Sequence, residues 1–110
     1  MISIILPTFN RSRLLETSIQ SVLDQTFPHW ELIVVDDGST DDSRETLKRF
    51  RDNRLRYVYQ ENRGVSSARN TGIRLATFSW LCFLDSDDYW KPHKLQRQLE
   101  ALQNCPNYRV

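Results

Sequence analysis

The sequence predicts a single α/β domain, built on a mainly parallel β-sheet with helices on both faces. Short β-rich runs alternate four times with stretches of helical period, in the order βαβαβαβα. The 110 residues are enough for one domain with its own core, and no linker, repeat or low-complexity segment interrupts them. Such alternation is typical of parallel strands joined by right-handed crossovers.

The strands and the first two helices follow from local patterns. Runs rich in β-branched and aromatic residues predict strands at 2–6, 30–35, 55–59 and 80–84, and a further strand is expected to start at 108–110. Apolar residues at helical spacing predict a helix over 12–25 with Asn10 or Ser12 as its N-cap. The next helix opens on "STDDS", where Ser39 and Asp42 fit a capping box.

Two further helices complete the pattern. The third is predicted over 65–76, and the fourth begins near Pro92, a residue suited to the first helical turn. The residues predicted to face the core from the third helix are Val65, Ala68, Gly72, Ile73 and Ala76. Those of the fourth are Leu95, Leu99 and Leu102.

Composition narrows the class of protein. The 15 Lys and Arg residues nearly balance the 14 Asp and Glu residues, and neither sign forms a block that would favour nonspecific nucleic-acid binding. Cys82 and Cys105 lack metal-ligand spacing, which favours a reduced, cytoplasmic chain. The first predicted strand begins at residue 2, so no leader is expected, and no apolar run approaches the roughly 20 residues that span a bilayer.

The polar clusters all follow predicted strands. These clusters are "PTFN" (7–10), "DDGSTDD" (36–42), "QENRG" (60–64) and "DSDD" (85–88). Ligands of open α/β sheets bind beyond the carboxyl ends of the strands, so one edge of the sheet is expected to form the site. Residues 39–42 fit a helix cap, whereas Asp36 and Asp37 end a buried strand and need another explanation.

"DSDD" carries the sharpest signal. In an extended stretch Asp85 and Asp87 would project to the same side, where a divalent cation would offset their repulsion. Two carboxylates leave ligand positions for water and for phosphate oxygens, which points to a diphosphate. Asp88 is predicted to lie at the entry to the fourth helix. Arg63 and Arg69 are either solvated or close enough to neutralise these carboxylates or contact a phosphate.

Four segments together resemble an inverting glycosyltransferase of family 2 with the GT-A fold. They are "SIILPTFNR", "SVLDQTFPHWELIVVDDGSTDDS", "NRGVSSARNTG" and "FLDSDDYW", and they cover nearly the whole chain in the family's order and spacing. The resemblance implies that residues 1–110 are the N-terminal, nucleotide-sugar-binding half of such an enzyme. It implies a nucleotide-sugar donor, a UDP-sugar above all, and Mn²⁺ or Mg²⁺ as cofactor.

The resemblance also implies residue roles. Pro7 and Phe9 would line the pocket of the nucleobase, and Asp37 would accept a hydrogen bond from the base. Asp85 would face the ribose or the bound nucleotide and, with Asp87 as the principal ligand, the cation. Arg69 falls in the family's "ARN" segment and would contact the donor.

The general base of the family comes from an acidic motif downstream, so it is expected beyond Val110. The chain alone is then expected to bind the donor and to transfer sugar poorly. The acceptor stays open among saccharide, lipid and protein, and any membrane association would come from segments outside the chain. An unfinished sheet edge favours homo-oligomers.

Two alternatives remain at this point. One is a module that binds nucleotide without transferring sugar, completed by another chain. The other is a receiver-like phosphoacceptor domain, which shares the length and the acidic strand ends but places its acidic pair after the first strand, where this chain has "PTFN".

Overall fold

The computed structural model describes the backbone of residues 1–103 and the side chains of residues 1–101. Its elements are β1 (Ile2–Thr8), α1 (Ser12–Leu23), β2 (Trp30–Asp37), α2 (Ser43–Leu47), β3 (Leu55–Gln60), α3 (Val65–Leu75), β4 (Trp80–Phe83) and α4 (Lys94–Gln103). The predicted order βαβαβαβα is therefore confirmed. The strand expected at 108–110, Cys105 and the side chain of Leu102 lie outside the described residues.

The four strands form one parallel sheet in the order β3-β2-β1-β4. The predicted α/β class is confirmed. In the sheet register Thr8 pairs with Asp36, and Asp37 pairs with Gln60. The polar ends of β1, β2 and β3 thus meet at one edge. This strand order differs from the 2-1-3-4-5 order of flavodoxin-like folds, to which receiver domains belong, and argues against that alternative.

Side chains of β1 and β2 alternate between two apolar layers. Ile4 and Leu6 pack on one face with a cluster that includes Leu15 of α1 and Leu95 of α4. On the other face Ile33 and Val35 of β2 pack with Ala68 of α3, so helices cover both faces. These side chains are fully buried, and each such burial contributes about 1.5–3 kcal/mol.

The predicted helix caps are wrong in both α1 and α2. Arg11 occupies the N-cap position of α1 and makes no side-chain cap, while the Ser12 N–H donates to the Asp41 carboxylate at 3.3 Å. α2 begins after Asp42, whose side chain makes no cap hydrogen bond; instead Asp41 accepts the Ser43 N–H at 3.0 Å. The Asp41 carboxylate therefore serves both helix starts, across 29 residues for α1 and locally for α2, and it replaces the predicted capping box.

The inward face of α3 is narrower than predicted. Ala68 and Gly72 are buried, but Val65 and Ile73 are exposed. A methyl group on Gly72 would overlap Ile5 Cγ2 of β1, so the helix packs closely on the sheet.

Gly72→Ala is therefore expected to destabilise the fold. Overpacking costs about 1–3 kcal/mol, which exceeds the gain of about 1 kcal/mol from the better helix propensity of alanine. Urea unfolding of this variant, with the exposed Asn70→Ala on the same helix as control, measures the difference. A Gly72→Ala variant that gains stability would contradict the close packing.

A buried carboxylate ties the opposite, amino-terminal edge of the sheet together. Glu31 of β2 accepts hydrogen bonds from the Ser3 hydroxyl and the Thr77 N–H, both at 2.6 Å. It also pairs with Arg56 of β3 at 3.2 Å. Burial opposes its ionisation, but the hydrogen bonds from Ser3, Thr77 and Arg56 outweigh burial and lower its pKa below 4.5.

Among residues 1–103 no helix is long and apolar enough to cross a membrane. The cytoplasmic location and the homo-oligomer stay predictions. β3 and β4 are the outer strands of the described sheet, and Tyr59 and Phe83 on them are exposed.

Candidate functional site

A cavity of about 520 Å³ opens at the carboxyl edge of the sheet. Its wall is formed by Pro7, Thr8, Phe9, Arg11, Asp37, Asn62, Gly64, Val65, Ala68, Asp85, Ser86 and Asp87. The ends of β1 and β2, the loops after β1, β3 and β4, and the start of α3 contribute, as expected of a parallel sheet. Five of the six residues to which the family resemblance assigned a role line this cavity. The sixth, Arg69, contacts one of those five.

Asp85 and Asp87 reach the cavity from a turn, not from an extended stretch as predicted. The Asp88 N–H donates to the Asp85 carbonyl at 3.0 Å and closes the turn. Ser86 is buried, and its carbonyl accepts the Ser18 hydroxyl of α1 at 3.2 Å. The turn therefore anchors the backbone between the two carboxylates and leaves both side chains more than half exposed.

The sequence had predicted that Asp88 lies at the entry to helix α4, and this prediction is wrong. α4 begins only at Lys94, and the Asp88 carboxylate accepts the N–H of its neighbour Tyr89 at 2.8 Å. Asp88 stands outside the cavity wall.

Each cavity carboxylate of the turn faces an arginine. Arg69 of α3 lies 3.2 Å from Asp85, and Arg11 lies 3.7 Å from Asp87. All four side chains are 41–59% exposed, so each pair contributes little to stability. The pairs matter instead because they place two positively charged guanidinium groups beside the two carboxylates, where they can contact an anionic ligand.

Asp37 is buried at the end of β2 and holds the loop that precedes α3. Its Oδ1 accepts the Gln60 amide at 2.8 Å and the Arg63 N–H at 2.9 Å. Its Oδ2 accepts the Gly64 N–H at 2.9 Å. The backbone N–H groups of this loop are placed to bind an anion, and the anion that they bind in the structure is the Asp37 carboxylate.

Asp36, its neighbour, has a structural role. Its carboxylate accepts the Ser39 N–H at 2.9 Å and the Tyr57 hydroxyl at 2.6 Å. Burial and the hydrogen bond to Asp36 together raise the pKa of Tyr57 to about 12, so this hydroxyl stays a donor near neutral pH. Asp36 is thereby bound to β3 and does not line the cavity.

The loops around the cavity are joined to one another. Asn10 adopts a φ of 50°, its N–H donates to the Ser39 hydroxyl at 2.8 Å, and its side chain accepts the Thr40 N–H at 2.8 Å. Gly38 has a φ of 86°, and a methyl group there would lie 2.8 Å from the Asn62 nitrogen. These contacts preorganise the cavity wall and place Arg11 at its rim.

Sequence reasoning missed Arg11, Asn62 and Thr8. Arg11 lay within the motif "SIILPTFNR", but its pairing with Asp87 bridges 76 positions (87 − 11) and has no local signal. Thr8 is 3% exposed, and its hydroxyl has no hydrogen-bond partner among the described residues. A buried hydroxyl without a partner in a cavity wall is unusual and fits a site that binds something polar.

The donor set fits a divalent cation that is shared with a ligand. Among residues 1–101, no three His, Cys, Asp or Glu side chains gather into a complete metal site. Asp85 and Asp87 supply carboxylate oxygens only, the donors that Mg²⁺ and Mn²⁺ accept. Mg²⁺ in proteins is commonly held by one or two carboxylates together with waters and substrate phosphates.

Fold and cavity define an α/β domain with its ligand site at the carboxyl edge of a parallel sheet. The glycosyl transferase family 2 domain matches residues 3–108. The chain therefore belongs to glycosyl transferase family 2, as its motifs had predicted.

Two proteins of similar sequence are also named as glycosyltransferases. The chain is 46% identical over 105 residues to the putative teichuronic acid biosynthesis glycosyltransferase TuaG of Bacillus subtilis, covering 93% of this chain and 42% of TuaG. It is 40% identical over 103 residues to the glucosyltransferase WfgD of Escherichia coli, covering 93% of this chain and 41% of WfgD. The chain thus spans about two fifths of these two relatives.

Solved structures agree on the fold. TarS 1-349 of S. aureus in complex with UDP superposes with a TM-score of 0.86 at 29% identity, over 94% of this chain and 32% of TarS 1-349. The mannosyltransferase PcManGT of Pyrobaculum calidifontis, in complex with GDP-Man and Mn²⁺, superposes with a TM-score of 0.76 at 32% identity, over 81% of this chain and 28% of PcManGT. The predicted GT-A fold is confirmed.

Proposed function

We propose that residues 1–110 form the donor-binding part of an inverting glycosyltransferase, and that they bind a UDP-sugar together with Mn²⁺ or Mg²⁺. The observation that carries this proposal is the convergence of Asp37, Asp85 and Asp87 on one cavity, with Arg11 and Arg69 beside it. The complexes of TarS with UDP and with UDP-GlcNAc support a uridine nucleotide. PcManGT, in complex with GDP-Man, supports the wider class of nucleotide sugar.

The nucleoside would bind at the carboxyl ends of β1 and β2. Pro7 and Phe9 give that wall apolar surface, and Phe9 is 43% exposed in the cavity, where a base can cover it. Asp37 Oδ2 accepts only the Gly64 N–H within the described chain, so a lone pair is left for the N3–H of uracil. The base would thereby be read by one apolar wall and one fixed acceptor.

Asp87, with Asp85, would hold the cation. When bound, the cation would stabilise the negative charge that develops on the leaving diphosphate. Because the two carboxylates would then face the cation, Arg11 and Arg69 would be free to turn toward phosphate oxygens at the cavity rim. Asp85 would also lie close enough to face the ribose, the second role that the family resemblance implies for it.

Transfer itself needs a general base and an acceptor site. We propose that both lie outside residues 1–110, in the part of such transferases that this chain does not span. A module that binds nucleotide and never transfers sugar would share the same cavity. A transfer assay with a longer protein that contains this chain separates the transferase from the binding module. Only a transferase converts the UDP-sugar to UDP in the presence of acceptor.

Calorimetric titration of the chain with UDP tests the proposed binding. We expect saturable binding in Mn²⁺ or Mg²⁺ buffer, at least about tenfold weaker after chelation with EDTA, because a cation held by Asp85 and Asp87 would offset the repulsion between these carboxylates and the diphosphate. Uridine, which lacks the diphosphate, is the matched ligand control and should be insensitive to EDTA. Absence of heat with every nucleoside diphosphate would overturn the proposal.

A further inference from the structure

Gln60 stands behind the carboxylate that is proposed to read the base. It ends β3, directly opposite Asp37 in the sheet register. Its amide nitrogen donates to Asp37 Oδ1 at 2.8 Å. Gln60 is half-buried, outside the wall of the nucleotide cavity, so a bound nucleotide would contact Asp37 and not Gln60.

The orientation of the Gln60 amide is fixed from both sides. Its oxygen accepts the Thr71 hydroxyl at 2.6 Å, and Thr71 in turn accepts a hydrogen bond from Arg74 at 3.2 Å. An ionised carboxylate can only accept hydrogen bonds, so the nitrogen of the Gln60 amide must face Asp37. A directed chain of hydrogen bonds thus runs from α3 through Gln60 to Asp37.

This chain of hydrogen bonds decides which Asp37 oxygen keeps an open acceptor position. Two donors, the Gln60 amide and the Arg63 N–H, occupy Oδ1, which fills its two lone pairs. Oδ2 has one donor and keeps one lone pair. Without Gln60 each oxygen would keep one backbone donor and one lone pair, so the two oxygens would be equally available to a ligand.

From these contacts we infer that Gln60 is a positioning residue for nucleobase selection: it locks the Asp37 carboxylate so that a single lone pair of Oδ2 accepts the N3–H of uracil. Cytosine has an acceptor at N3 and would meet that lone pair unfavourably. Gln60 therefore strengthens the preference for UDP over CDP. This inference rests on the proposed function, because it assigns the base-reading role to Asp37.

The test compares UDP with CDP, each titrated into the chain in Mn²⁺ buffer. For Gln60→Leu we expect UDP affinity to fall about tenfold, the effect of one well-placed hydrogen bond, with CDP affinity nearly unchanged. A residue that merely supports the fold would weaken both ligands equally. Thermal unfolding of the variant shows that the compared proteins are folded.

Gln60→Glu supplies a second readout. At about pH 8 the introduced carboxylate would repel Asp37 and lower UDP affinity, whereas at about pH 5 the pair would share a proton and restore the hydrogen bond. Among the described residues, the charged groups around this position are Asp37 of β2, Arg74 of α3, and Glu61 and Arg63 of the loop between β3 and α3. UDP affinity relative to wild type at the same pH is therefore expected to recover on acidification.

Gln20→Glu is the matched control. Gln20 donates to Asp24 at 2.9 Å in an exposed Gln–Asp pair on α1, away from the cavity, so the same change should leave UDP affinity unchanged at both pH values. An unchanged ratio of UDP to CDP affinity in Gln60→Leu, or no recovery of Gln60→Glu at low pH, overturns the role of Gln60 alone. A wild-type chain that binds no nucleoside diphosphate overturns the proposed function and this inference with it.

Discussion

Replacing Asp87 by alanine is expected to weaken UDP binding in Mn²⁺ buffer about 100-fold. Asp87 is the carboxylate proposed to hold the cation, and losing a group that orients or binds a metal commonly costs 10- to 100-fold or more in affinity. Because Asp87 is 53% exposed and, among residues 1–101, pairs only with the exposed Arg11, folding stability should change by less than about 1 kcal/mol. Calorimetry and thermal unfolding of the same samples separate the two effects.

Asp88→Ala is the natural control for this experiment. It removes a carboxylate from the same turn, one residue away, but Asp88 stands outside the cavity, and its carboxylate accepts only the Tyr89 N–H within the described part of the chain. It should keep metal-dependent UDP binding. If Asp87→Ala and Asp88→Ala lose affinity equally, the turn contributes general negative charge and Asp87 has no special role.

Replacing Glu31 by alanine is expected to lower the free energy of unfolding by about 3 kcal/mol. The change would leave the Ser3 hydroxyl, the Thr77 N–H and Arg56 without their shared acceptor, and the side chain of Glu31 is only 10% exposed. Urea unfolding measures the loss. Glu16→Ala removes a carboxylate from the exposed pair with Arg49 at 3.4 Å and should cost less than about 1 kcal/mol.

The contribution of Glu31 also depends on pH. Its pKa is lowered in the folded state, so the ionised form is favoured by folding and the stabilisation is fully present above the unfolded value of about 4.3–4.5. The stability gap between wild type and Glu31→Ala should therefore shrink as the pH falls through the folded pKa. A gap that stays constant down to about pH 3 would contradict this account of the carboxylate.

The fold was predictable because its signals are local. Short runs rich in β-branched and aromatic residues mark β1 and β2, and helical spacing marks α1, where Leu15 and Ile19 are buried. The acceptor at the start of α1 was not predictable, because the Ser12 N–H donates to Asp41, 29 residues away. The exposure of Val65 likewise depends on where α3 crosses the sheet, and helical periodicity does not encode that position.

The site was predictable in its membership but not in its contacts. The rule that parallel strands present their ligands at the carboxyl edge placed Asp37, Asp85 and Asp87 together, and all three line the cavity. The reason given for the Asp85 and Asp87 pair was wrong, since a turn and not an extended stretch carries them. Arg11 was missed because its partner, Asp87, becomes a neighbour only after β4 has paired with β1.

The location of the cation is the central claim, and it can be measured without any mutation. Spectra of the ¹⁵N-labelled chain with UDP and Mg²⁺ serve as the diamagnetic reference for spectra with UDP and Mn²⁺. We expect Mn²⁺ to broaden the amide signals of Ser86 and Asp87 most strongly, and to spare those of Trp30 and Thr77 at the opposite edge of the sheet. Broadening centred away from residues 85–87, or none that depends on UDP, would contradict the proposal that these carboxylates hold a nucleotide-bound cation.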